Sequence, residues 1–92
     1  MAGWSAMSGA VNPEEVMETR LILEPALAAL AVARASELEV EEMQGLVRKG
    51  ATARNMAEFE QWDRQLHERI VAASKNAYLI GVFATIRRMR QT

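Results

Sequence analysis

The chain is 92 residues long, half of them apolar, with a formal net charge of −1 and no cysteine. That length suggests one domain with a modest core. The near-neutral charge gives no electrostatic case for direct nucleic-acid binding or for an anionic membrane. The missing cysteines exclude a disulfide framework and thiolate chemistry, a composition compatible with the cytoplasm. No apolar run approaches the roughly 20 residues that span a bilayer.

Residues 1–11 are small and rich in Gly, Ser and Ala, which predicts a flexible leader with Trp4 as its one strong anchor. Structure is expected from Asn12 onward. Asn12 is a good N-cap, Pro13 suits the first helical position, and Glu15 stands where a capping box would place it. Val11 and Val16 are spaced for a hydrophobic staple. Helix 1 is predicted to run to about Ala35, with Val16, Leu23, Leu27 and Leu30 along one side. Pro25 inside it removes a backbone bond and predicts a kink near Leu21.

Ser36 and Glu39 form a second capping box. The helix that follows is expected to bury Val40, Met43 and Val47 and to stop at Gly50. Asn55 opens helix 3, Met56 to about Ser74, whose apolar positions are Phe59, Trp62, Leu66, Ile70 and Ala73. Asn76 caps helix 4, with Leu79, Val82, Phe83, Ile86 and Met89 as its stripe. Period-2 alternation persists nowhere. The fold class is therefore all-α, an antiparallel bundle of about four helices with short connections.

Candidate chemistry concentrates in helix 3. His67 is the only histidine, and Asp63 lies one turn before it. On a wheel of about 100° per residue, Asp63 falls inside the apolar sector and His67 at its edge. A carboxylate there is costly unless paired or bound to a cation. Spacing alone leaves two readings open, a site or a local hydrogen-bonded network. In helix 1, Arg20 lies between Val16, Leu23 and Leu27 in angle. Its guanidinium either binds a carboxylate in a pocket or pairs with Glu24 four residues on. Arg87, Arg88 and Arg90 fit the favourable end of a helix dipole better than a nucleic-acid patch. No nucleophile–base set or phosphate loop is present, and the chain does not read as an enzyme.

The strings EVMETRLILEPALAALAVARAS and FEQWDRQLHERIVAASKNAYL resemble the FCD domain, the ligand-sensing domain of FadR-type GntR transcription regulators. The marks are Glu18, Arg20, Glu24 and Pro25, then Asp63 and His67, then Ser74, Asn76, Tyr78 and Leu79. Lys75 departs from the family, which often has glycine there. The resemblance implies a helical bundle that binds organic-acid effectors, with Arg20 reaching the effector carboxylate. It also implies a divalent metal (zinc, nickel or manganese) held by one Asp and three His, of which Asp63 and His67 would be two. The match covers the first four helices, with no winged helix before residue 12. The expectation is thus an FCD-like helical domain over 12–92, a truncated bundle with an incomplete metal site. It would be completed by homodimerisation or by association with a full-length GntR-type regulator. It would sense an effector or mediate dimerisation, or it would be an interaction module that has lost ligand and metal.

Overall fold

The computed structural model describes residues 12–90, all but the side chain of the last. The leader, Trp4 and the Val11 half of the staple lie outside the described residues. Four helices follow in order: α1 Pro13–Arg34, α2 Glu37–Ala51, α3 Met56–Ala73 and α4 Ala77–Arg90. No strand occurs among the described residues, as the absence of period-2 patterning predicts.

Each helix starts on a polar side chain that satisfies amide groups with no intrahelical partner. Asn12 accepts hydrogen bonds from the Glu14 and Glu15 amides at 2.9 and 3.3 Å. At Ser36 the box is reciprocal: Ser36 Oγ accepts from the Glu39 amide, and Glu39 Oε1 accepts from the Ser36 amide at 2.8 Å. Asn55 accepts from the Glu58 amide at 2.8 Å and Asn76 from the Leu79 amide at 3.0 Å. α1 runs unbroken through Pro25, whose ring lies on an exposed side.

α2 differs from the sequence expectation in two ways. It continues past Gly50 to Ala51 and is capped at Thr52, whose hydroxyl donates to the Arg48 and Lys49 carbonyls. No glycine among the described residues has positive φ, so Gly50 does not act as a left-handed stop. It is instead where α2 comes close to α3, for a Cβ there would sit 3.8 Å from the Phe59 ring. The buried edge is also one position off, with Leu46 buried and Met43 half-buried, while Val40 and Val47 are exposed.

α3 is the central helix. It packs most extensively on α2, then on α1, and only lightly on α4. The core cluster joins Leu27 of α1, Val71 of α3, and Phe83, Ile86 and Met89 of α4, flanked by Val16, Leu23, Ile70, Leu79 and Val82. Burying a side chain such as Leu27 contributes roughly 1.5–3 kcal/mol. The α3–α4 connection is fixed by Ser74, fully buried, whose hydroxyl donates to the Val71 carbonyl at 2.6 Å. Arg34 Nη1 ties the end of α1 to the Ser74 carbonyl at 2.8 Å.

Lys75 explains its own departure from glycine. Its φ is +54°, the left-handed conformation in which a side chain costs about 1–2 kcal/mol. The compensation is local, since Lys75 Nζ donates to Glu39 Oε2 at 2.7 Å and joins the turn to the start of α2. That bond, with the Ser36 amide and hydroxyl, lowers the Glu39 carboxyl from 4.5 to about 2. A depressed folded-state value stabilises the fold above the unfolded value, and this contribution is lost as pH falls through the folded one. The stability difference between the wild type and Glu39→Gln is therefore expected to shrink between about pH 4.5 and pH 2. In Lys75→Gly, the Glu39 carboxyl followed by NMR is expected to titrate closer to its ordinary value. A Glu39 titration unmoved by loss of Lys75 would contradict the assignment.

Candidate functional site

The light contact between α3 and α4 leaves a half-open cleft of about 800 Å³. One wall is α3, with Phe59, Asp63, His67 and Val71; the other is α4, with Ile80, Phe83 and Arg87. Arg20 reaches the cleft from α1. Its side chain is 21% exposed, so most of it lies against protein.

The structure shows the pairing of Arg20 with Glu24 that the sequence offered as one of two readings. Arg20 Nε donates to Glu24 Oε2 at 3.1 Å, and Nη2 lies 3.0 Å from the same oxygen. The residue nevertheless lines the cleft, which the pairing alone does not require.

The placement of Asp63 corrects the wheel. The helix face was expected to bury Phe59 and Asp63, yet Phe59 is 43% exposed and Asp63 is exposed. Their angle is that of the buried face, but they lie in the N-terminal half of α3. Cover exists farther along, where Val71 and Ala73 are buried. An exposed carboxylate on a cleft wall carries little of the desolvation cost that a buried one would.

His67 is brought to the cleft, but not to Asp63: no hydrogen bond or ion pair joins these two among the described residues. The carboxylate beside it is that of Glu24, with Oε2 3.6 Å from His67 Nε2, too long for a hydrogen bond. That nitrogen is buried and has no hydrogen-bond partner. The ring packs edge-on against Phe83, with centroids 5.7 Å apart. Glu24 is the neighbour of His67 that residue spacing missed. Its pairing with Arg20 was legible, but its approach to His67 depends on how α1 crosses α3.

For a divalent metal, the donors do not close a shell. No group of three or more His, Cys, Asp or Glu side chains converges among the described residues. The orphaned imidazole nitrogen is one donor, but the carboxylate beside it is that of Glu24, and no third such side chain converges with any two among the described residues. A zinc site of the ordinary kind needs at least three protein ligands.

The family model of the FCD domain matches residues 15–92, and the chain belongs to this family, the FCD domain of GntR-type regulators. FCD is a regulatory domain family rather than a catalytic one. No curated protein and no solved structure matches the chain significantly. No described helix is long and apolar enough to cross a membrane.

The orphaned nitrogen has a stability consequence. A buried polar atom without a partner costs about 1–3 kcal/mol. His67→Leu removes it and keeps an apolar contact with Phe83. Because the ring is 41% exposed, the expected gain is at the low end, an unfolding midpoint unchanged or raised by a few degrees in a thermal melt. A clear loss of stability would mean that Nε2 is satisfied after all.

Proposed function

We propose that this FCD domain senses an organic-acid effector in the α3–α4 cleft, with Arg20 as the group that takes the carboxylate. The observation that carries the reading is Arg20, a mostly buried arginine on the lining of a cleft that Phe59 and Phe83 also line. A guanidinium in such a place binds a carboxylate through two parallel N–H donors. The walls mix apolar side chains (Phe59, Val71, Ile80, Phe83) with charged ones, and a concave site of this size with convergent polar groups suits a small polar ligand. As part of a cytoplasmic GntR-type regulator, the domain would pass effector binding to a separate DNA-binding domain without touching DNA itself.

Succinate and its neutral analogue succinamide test this. Ligand at a hundredfold above its Kd stabilises by about 2.7 kcal/mol, which for a domain of this size is a rise of ten degrees or more in Tm. Succinate is expected to raise the Tm of the wild type, succinamide is not, and Arg20→Gln is expected to lose the response. Equal responses to acid and amide, or a full response in Arg20→Gln, would overturn the reading. Zinc, nickel or manganese belongs to the same reading only through Asp63 and His67, with the remaining donors from effector, solvent or a second copy. A metal-dependent rise in Tm that Asp63→Ala abolishes would support that extension, and an unchanged Tm would remove it.

A homodimer, or association with a full-length regulator, is supported by the outer side of α1. Met17, Leu21, Ile22 and Val32 are exposed there, Val32 by 85%. A helix apolar nearly all round is ordinarily covered. The alternative, an interaction module without a ligand, rests on the same surface. Light scattering is expected to give a dimer that Leu21→Glu with Val32→Glu converts to monomer. A monomer at high micromolar concentration in the wild type would contradict self-association.

A further inference from the structure

Glu24 does not line the cleft, although the two residues it touches do. Its Oε2 lies 3.1 Å from Arg20 Nε, 3.0 Å from Arg20 Nη2 and 3.6 Å from His67 Nε2. One carboxylate oxygen thus stands behind both cleft groups. We infer that Glu24 is a positioning residue for the anion seat. It holds the guanidinium by its Nε edge and turns the Nη1/Nη2 end toward the cleft, with His67 alongside. The inference rests on the reading of Arg20 as the carboxylate-binding group.

The chemistry of the guanidinium carries it. Arginine has five N–H donors in a fixed planar fork. Glu24 takes the edge donors, and the Nη1 donors stay uncommitted among the described residues. If Glu24 sat in the cleft, it would be a rival for the effector's place. Behind Arg20 it instead removes rotamers in which the head would fold back along α1 or swing to solvent. A seat whose head group is fixed before the ligand arrives binds more tightly than one that must be ordered on binding. The same carboxylate lies 3.6 Å from the orphaned, buried His67 nitrogen. On this inference a ligand entering from the cleft meets the end-on fork of Arg20, with His67 alongside.

Two readouts test this, one without any ligand. In ¹⁵N spectra, the Arg20 Nε–H is expected to be protected from solvent exchange relative to the exposed Arg54 and Arg88. Glu24→Ala should abolish that protection and shift the ring signals of His67, which are unambiguous because it is the only histidine. Protection absent in the wild type, or unchanged in Glu24→Ala, would overturn the inference whether or not any acid binds. In the second readout, succinate affinity is expected to fall about tenfold in Glu24→Ala. Glu24→Gln keeps an acceptor oxygen behind Arg20 and should stay within about threefold of the wild type. Glu24→Ala binding as tightly as the wild type, or more tightly, would show Glu24 to be a mere ion pair or a rival, and the inference would fall. Loss of response in Arg20→Gln alone would leave the carboxylate reading standing without it. An Arg20→Gln that binds succinate like the wild type would sink that reading instead, and the exchange data would still decide the role of Glu24.

Discussion

The structure depends on how α4 is used. Phe83, Ile86 and Met89 join a cluster with Leu27 of α1 and Val71 of α3, so α4 covers the C-terminal half of α3 and leaves the N-terminal half open. The hydrophobic gain is taken where α1, α3 and α4 meet. What remains is a strip of α3 whose residues have the composition of a core and the exposure of a surface. Phe59 and Asp63 lie on that strip, and His67 stands at its end, against Phe83 of α4. A fourth helix lying along the whole of α3 would have removed the cleft.

The electrostatics of the site follow from that gap. In the cleft, Arg20 needs a counter-charge to sit with its stem against protein, and Glu24 one turn along supplies it from α1. The same carboxylate then lies beside His67 across the α1–α3 packing. Other ion pairs are more exposed: Arg69 with Glu42 lies away from the cleft, and Arg87 with Glu68 spans its two walls. Surface pairs of this kind contribute little to stability. Under the role proposed for Glu24, the Arg20–Glu24 pair matters for where it points the guanidinium more than for the energy it adds.

What was legible in the sequence was local. Asn12, Ser36, Asn55 and Asn76 begin their helices because capping depends on residues within one turn. The stripe of α4 was legible because one face of a short helix is set by its own spacing. The errors lie where a second element decides the outcome. Gly50 reads as a stop, but it serves as a point of close approach to Phe59 and Trp62. The buried edge of α2 slid by one residue because α3 sets which face is covered. Asp63 and His67 share a helical face, and the wheel records angle but not how far along the axis a neighbour reaches. The carboxylate nearest His67 belongs to another helix, which no spacing within α3 reveals. Lys75 was visible as a departure from glycine, and its positive φ supplies the physical reason glycine is common there.

The central claim is that the open strip of α3 and the head of Arg20 form one ligand-binding cleft. Backbone chemical-shift mapping during a succinate titration tests it most directly. The largest perturbations are expected at Arg20, Phe59, His67 and Phe83, facing one another across the cleft. Perturbations confined to the outer side of α1, around Met17 and Val32, or spread evenly over the chain, would contradict it.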